Sequence, residues 1–362
     1  MGELFRALYK EMLSDVLQEE LKQWVEAETA ISVKHVETVS GGKNNRGYIV
    51  SDGVKRYFLK QYFSDDSQRF RREVEFSWML TTCNVKGHPK LIASECVAKH
   101  NLAIFEHLKG QLPQQITSEM ITSAAQFIAD INAPNVMDNG HNLLSARGGL
   151  ACPTDFLEEV HERLDTFQML IDKAPPMGSA EQYLFDEFAT LLVNTVPDVF
   201  HAAENRVLQQ FGEDMLQHFY RLLSPSDFGF HNSIIDDKGQ LSFVDFEYAG
   251  WDSAEKLITD FFAQPRFDIN LATLPEFISK TVPESRRSDV YANCLVLLPM
   301  AHLKWALIFL NEFKHTDMQR REFSALCDNE AALTDHLIIR KQQLEKAKKR
   351  IALASRMCDQ RI

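Results

Sequence analysis

Apolar residues recur every three or four positions at Leu4, Leu8, Met12, Val16, Leu17, Leu21, Trp24 and Val25, which predicts an amphipathic helix over residues 3–26. From Ile31 the period shortens to two. Ile31, Val33 and Val36 begin a strand, Ser40-Gly41-Gly42-Lys43-Asn44-Asn45-Arg46 interrupts it, and Gly47-Tyr48-Ile49-Val50 resumes. Asp52-Gly53 makes the next turn and Arg56 to Tyr62 the next strand, so residues 31–62 predict a three-stranded antiparallel meander. Arg69 to Leu80 carries Phe70, Val74, Phe76, Met79 and Leu80 at helical spacing, and Leu91-Ile92 and Leu102 to Phe105 suggest two further strands. Past Leu108 the pattern turns helical, with helices predicted over 120–132, 154–171, 180–193, 203–223, 254–262, 274–280, 288–312 and 335–357. Pro299 is placed to kink or divide the helix over 288–312. The chain reads as an α+β protein of two lobes: residues 1–108, with a small antiparallel β-sheet, and residues 109–362, mainly helical.

One stretch of the helical half breaks the pattern, from Ser224 to Asp252. Asp227 and Asn232 flank a short, largely apolar loop. Ile234-Ile235, a turn over Asp236 to Gly239, and Leu241 to Val244 then form a hairpin that ends at Asp245. A hairpin returns its ends to one place, so Asp245 comes back beside Asn232. A carboxylate and an amide oxygen held together suit Mg²⁺, a hard cation that takes oxygen ligands. Asp227 is placed to accept a proton, and the three together are what phosphoryl transfer needs. Upstream, Gly41-Gly42 would let backbone N–H groups approach phosphates, and Lys60 ends the alternation Tyr57, Leu59, a place open to facing inward or, as for most lone strand lysines, to solvent.

Composition narrows the field. The chain has 362 residues, 45% hydrophobic and 25% charged, enough for a large core and for two lobes. A net charge of -12 argues against nucleic acid as a partner, because phosphate binding needs a basic face, and it is compatible with a cationic small molecule. The cysteines at 83, 96, 152, 294, 327 and 358 show no metal-binding spacing and suit a reducing cytoplasm. The N-terminus has no signal-peptide pattern, and runs such as Ala306 to Leu310 are too short to span a bilayer, so no membrane is expected.

The order of these features resembles the protein-kinase-like fold in its small-molecule branch, the aminoglycoside phosphotransferases and choline/ethanolamine kinases. The resemblance covers residue 31 to at least Phe262. Its most specific part is Asp227 to Asn232 followed by Val244-Asp245-Phe246-Glu247-Tyr248-Ala249-Gly250. It implies an ATP- and Mg²⁺-dependent kinase of a small-molecule hydroxyl: an amino alcohol, an aminoglycoside or a sugar. By the resemblance, Asp227 is the catalytic aspartate, and Asn232 and Asp245 hold the metal. Lys60 reaches the α- and β-phosphates, Glu73 (or, failing it, Glu75) is its helix partner, and Ser40, Gly41, Gly42, Lys43 and Asn44 form the phosphate loop. Glu106 and Leu108 are the hinge against adenine, and Asp260 buttresses the catalytic loop.

The sequence also departs from that family. Pro225 stands where a histidine two residues before the aspartate is usual, and His231 stands where glycine usually precedes the asparagine. The alternative class is a pseudokinase that binds nucleotide or a partner without turnover. A metal-dependent hydrolase using the same acids is a third. The sequence leaves the acceptor, ATP against GTP, and the oligomeric state open.

Overall fold

The computed structural model describes residues 19, 21–39, 45–63, 67–97, 100–174, 178–314 and 332–360. The predicted phosphate loop, Ser40 to Asn44, and most of the first predicted helix lie outside those residues. The part described, α1 over residues 21–29, buries Leu21, Trp24 and Val25 against the sheet.

Strands β1 (His35–Val39), β2 (Arg46–Ser51), β3 (Arg56–Tyr62), β4 (Leu91–Val97) and β5 (His100–Glu106) form one antiparallel sheet in the order β1-β2-β3-β5-β4. The first strand starts at His35, later than the pattern suggested. Ile31 and Val33 are buried under α1 ahead of the ladder, so their apolar spacing reflects packing rather than pairing. Inside the sheet the two-residue period decides what each face carries. On β5, Leu102 and Ile104 enter the core under α1, while Ala103 and Phe105 face the other side. Lys60 pairs across the ladder with Ala103, so it shares that second face. Helix α2 (Arg69–Thr82) covers it with Phe70 and Val74. A lysine at this register therefore points at α2 and not at solvent.

The helical part contains α3 (Ser118–Ile131), α4 (Pro134–Asn139), α5 (Pro153–Asp172), α6 (Ser179–Thr190), α7 (Val196–Phe211), α8 (Ala254–Phe262), α9 (Leu274–Thr281), α10 (Glu284–Phe309) and α11 (Ala332–Asp359). Two hairpin-like pairs sit among them: β6 (Arg221–Ser224) with β9 (Gly250–Ser253), and β7 (Ser233–Ile235) with β8 (Leu241–Phe243). The core of this part reaches across into the β lobe. Phe76, Met79 and Leu80 of α2 join Phe228, Phe243 and Phe246 in one cluster, with the Phe76 and Phe246 rings 5.3 Å apart.

Two helical expectations are corrected. The helix expected over 203–223 ends at Phe211, because Gly212 turns the chain at φ 54 and Leu222-Leu223 pair with Trp251 and Asp252 in β6. The expected gap between 193 and 203 is helical: a π turn over Leu191–Thr195 joins α6 to α7, directly ahead of Pro197, which has no N–H to give the preceding turn. Pro299 sits within α10 without dividing it. The segment Glu284–Phe313 is the one described stretch as long and apolar as a bilayer span, which contiguous apolar runs did not reveal; 72% of its apolar window is buried inside the protein.

Candidate active site

Helix α2 brings Glu73 under β3, and the hairpin β7–β8 brings Asp245 up to meet it. Lys60 Nζ lies 2.6 Å from Glu73 Oε2 and 2.6 Å from Asp245 Oδ1, and 4.0 Å from Glu247 Oε2. Tyr62, two residues along the same face, donates its hydroxyl to Glu73 Oε2 at 2.8 Å. The Phe246 N–H donates to Glu73 Oε1 at 3.2 Å. Glu73 is therefore held by the β lobe on one oxygen and by the chain after Asp245 on the other. Glu75 instead pairs with Arg71 on the exposed side of α2 at 2.8 Å, which settles Glu73 as the helix acid facing Lys60.

Three acids around one ammonium shift each other. Burial pulls the Lys60 ammonium down, but Asp245, Glu73 and Glu247 outweigh it and hold it above its ordinary value. Burial, helped by the Asp245 and Glu247 charges, pushes the Glu73 carboxyl up against the pull of Lys60. Glu247 is buried, accepts from Asn45 Nδ2, and lies 3.7 Å from Arg69 Nε. Asn45 in turn accepts the Phe63 N–H at 3.1 Å, which ties the start of β2 to the end of β3.

Asp227 stands at the far end of the same site. Its neighbour Ser226 adopts φ 67, a left-handed conformation uncommon for serine, and Asp245 adopts φ 68. Two such residues at the two ends of one loop mark a backbone bent to aim side chains. Asn232 Nδ2 donates to the Asp227 carbonyl at 3.0 Å and lies 3.2 Å from Asp227 Oδ2. The Val244 N–H donates to the Asn232 carbonyl at 3.0 Å, so the hairpin returns the chain beside Asn232 as its pattern requires. His231 Nε2 lies 2.9 Å from Asp227 Oδ1. Burial pushes the Asp227 carboxyl up, but His231, Asn232 and Lys256 together hold it below its ordinary value.

Behind the loop is a buried ion cluster that sequence reading only touched. Lys256 Nζ lies 3.0 Å from Asp252 Oδ2, 3.3 Å from Asp260 Oδ2 and 3.0 Å from Ser226 Oγ. Lys304 pairs with the other Asp260 oxygen. Asp260 thus reaches the loop through Lys256 rather than directly. The signal was available: Asp252, Lys256 and Asp260 are spaced i, i+4, i+8, and a lysine amid Ala254, Leu257 and Ile258 is out of place in an apolar helix unless paired.

The remaining sequence candidates separate. Glu106 closes β5 with its N–H bonded to the Lys90 carbonyl at 2.9 Å, and Leu108 follows in the linker that meets the hairpin through a Gln111–Ile235 bridge. Trp251 is core, its Nε1 bonded to the Gly140 carbonyl at 3.0 Å under the Arg221 guanidinium. Trp305 meets His231 edge-on at 6.1 Å. On α5, Glu159 pairs with Arg163 one turn on, at 2.7 Å.

For a divalent cation, Asn232 and Asp245 offer oxygen donors only, as a hard ion requires. The Asn232 amide nitrogen is committed to Asp227, which turns its carbonyl oxygen the other way. Asp245 keeps a second carboxylate oxygen beside the one on Lys60 and is 43% exposed, so the pair fits such an ion.

A profile of the phosphotransferase enzyme family matches residues 35–255, more than half of the chain. Solved structures with the same fold include spectinomycin phosphotransferase in complex with ADP and spectinomycin, at 12% identity and TM-score 0.58, covering 92% of this chain and 98% of that one. The gentamicin complex of APH(2″)-IIa aligns at 12% identity and TM-score 0.52 over 92% and 96%. An ethanolamine kinase from Plasmodium vivax aligns at 14% identity and TM-score 0.50 over 85% and 81%. No curated protein matches the sequence.

Proposed function

The chain belongs to the phosphotransferase enzyme family, and from that premise we propose that it transfers the γ-phosphoryl group of ATP to a hydroxyl of a small molecule with the help of Mg²⁺. The observation that carries this reading is the single run of contacts from Glu73 through Lys60 to Asp245, and from the Asp245 hairpin through Asn232 to Asp227. Asp227 takes the role of the catalytic carboxylate. It accepts a hydrogen bond from the acceptor hydroxyl and aims the oxygen at the γ-phosphorus. As the new O–P bond forms and the bond to ADP breaks, the hydroxyl proton passes to Asp227. A carboxylate held below its ordinary pKa is a weak base, which suits a loose transition state in which little proton transfer precedes bond breaking. Positioning then contributes most of the acceleration.

Lys60, fixed by Glu73, takes the α- and β-phosphates. Asn232 and Asp245 are assigned the Mg²⁺, which when bound offsets the phosphate charge. Ser40, Gly41, Gly42, Lys43 and Asn44 are assigned to the phosphates, and the backbone at Glu106 and Leu108 to the adenine. The lobes divide near Leu108 in this reading. The acceptor classes are amino alcohols, aminoglycosides and sugars; the neighbours bound to spectinomycin and gentamicin, and the net charge of -12, support a polar, cationic one. The cysteines at 83, 96, 152, 294 and 358 are all free, which supports a reducing cytoplasm as the setting.

The test is a mass-spectrometric screen of such acceptors with Mg²⁺ATP, with Asp227→Asn as control. A phosphorylated acceptor made by the wild type and not by Asp227→Asn supports the reading. Phosphate release without a phosphorylated acceptor indicates a hydrolase. Nucleotide binding without turnover of any kind indicates a binding module.

A further inference from the structure

The departures around the catalytic loop have a structural counterpart. Pro225 carries no donor, yet both oxygens of Asp227 are held from the other side: Oδ2 by Asn232 Nδ2 at 3.2 Å and Oδ1 by His231 Nε2 at 2.9 Å. A 3₁₀ turn over Phe230–Asn232 sets both side chains toward the loop. The surroundings of the ring decide where its proton sits. Nε2 faces a carboxylate, which only accepts. Nδ1 is buried with no hydrogen-bond partner, and an N–H there would be a buried donor left unmade. The proton therefore sits on Nε2 and is donated to Asp227.

The ring also has a built seat. Gly229 is fully extended, at φ 174 and ψ 174, a conformation open to any residue, so its backbone does not call for glycine. Space does. A Cβ on Gly229 would lie 2.7 Å from His231 Nδ1, 2.9 Å from Cε1 and 3.2 Å from Gln264 Oε1. Gln264 Oε1 is itself fixed, accepting the Phe230 N–H at 2.9 Å. Trp305 meets the same ring edge-on, with centroids 6.1 Å apart and planes at 81°. The imidazole lies between these neighbours, and from there Nε2 faces Asp227.

We infer that His231 is the positioning residue of this site: an Nε2–H donor that fixes the catalytic carboxylate, seated by Gly229 and Trp305. The inference rests on Asp227 being that carboxylate. Fixing Oδ1 leaves the carboxyl plane no freedom to turn, so the oxygen lone pairs meet an acceptor hydroxyl in one direction.

The first test needs no acceptor and so stands apart from the phosphotransfer reading. Long-range proton–nitrogen NMR on the full histidine-labelled chain, with His231→Gln to assign the signal, is expected to show the Nε2–H tautomer and a shift of that signal in Asp227→Asn. An Nδ1–H tautomer, or a signal indifferent to Asp227→Asn, overturns the inference. The second test follows turnover, on the acceptor found by the screen or, where none is found, on phosphate release to water. His231→Ala is expected to lower kcat roughly a hundredfold with KM changed less than about threefold, and His231→Gln to recover about tenfold of that loss. Equal losses in the two variants, or a loss confined to KM, overturn it. Gly229→Ala is expected to cost about as much as His231→Ala alone and less than about threefold when added to it. Independent, multiplying losses would show that Gly229 does not seat the ring.

Discussion

Lys60 and Asp245, 185 positions apart, meet at 2.6 Å. The sheet supplies one and the hairpin of the helical part the other, so this contact joins the two parts of the molecule at the proposed active site. With Glu73 and Glu247, Asp245 forms a set of acids whose oxygens lie within 4.8 Å of one another, and Lys60 is the cation among them. Lys60→Met removes it and leaves the buried Glu73 carboxylate without its cation. The expected result is a loss of about 3–5 kcal/mol in stability, measured by denaturant unfolding. Nucleotide affinity, measured by calorimetric titration with MgATP, falls with it. A variant as stable as the wild type would show that the acids shed their charge at little cost, and that Lys60 is not what holds the lobes in register.

The ion cluster behind the loop makes a separate prediction. Lys256 is buried against Asp252 and Asp260, with side-chain exposures of 4%, 0% and 7%, and its ammonium also meets Ser226 Oγ. Lys256→Met leaves Asp252 uncompensated and withdraws the donor that steadies the left-handed Ser226. Stability should drop by about 3–5 kcal/mol, and adding Asp252→Asn should return a substantial part of it, because the penalty is the stranded charge more than the lost pair. Denaturant unfolding of the single and double variants measures this; a double variant no more stable than Lys256→Met contradicts it.

How much of this was legible before the structure depends on what fixed each residue. The strands were legible because a half-buried sheet imposes a two-residue period, but the period alone left Lys60 inward or solvated, and its pairing with Ala103 decides. The stretch at Leu222-Leu223 was not: a short apolar pair fits a helix or a strand equally, and only pairing with Trp251 and Asp252 decides. Asp227, Asn232 and Asp245 stood out because a hairpin brings its ends together. Lys256 was legible only in part: its spacing to Asp252 and Asp260 marks it as paired, but its bond to Ser226, 30 positions away, comes from the fold. His231 read as a missing glycine, because its contact with Asp227 exists only once the 3₁₀ turn rotates it there.

Gly110 tests the link between linker and hairpin. It adopts φ 141, and a Cβ there would sit 2.3 Å from the Ile235 carbonyl oxygen, beside the paired Gln111–Ile235 hydrogen bonds of 3.0 and 2.9 Å. That oxygen belongs to backbone and cannot swing aside. Gly110→Ala should part the linker from β7 at a cost of about 1–3 kcal/mol. Because Glu106 and Leu108 precede it, KM for ATP should rise more than kcat falls. Steady-state kinetics beside a thermal melt measures both; unchanged stability and kinetics would mean the linker is free of the hairpin in solution.

His302 gives the pH dependence of stability a local source. It lies buried in α10, its Nδ1 without a hydrogen-bond partner, and burial, with the nearby Arg350 charge, pushes its pKa down to about 3. The unfolded chain returns it to its ordinary value near ~6.5. Between those values the unfolded state binds a proton that the folded state refuses, so stability rises with pH. The contribution is complete above about pH 6.5 and is lost as pH falls toward 3, at up to about 1.4 kcal/mol per pH unit. Glu73, its carboxyl pushed up to about 7 by burial, titrates in the same range in both proteins, so the difference between wild type and a His302 variant isolates His302. His302→Gln removes the titrating group, and from pH 7 to pH 5.5 the wild type should lose about 1.3 kcal/mol more than the variant in denaturant unfolding. Parallel losses in both proteins would mean that His302 is protonated in the folded state, which its buried place beside the Arg350 guanidinium opposes.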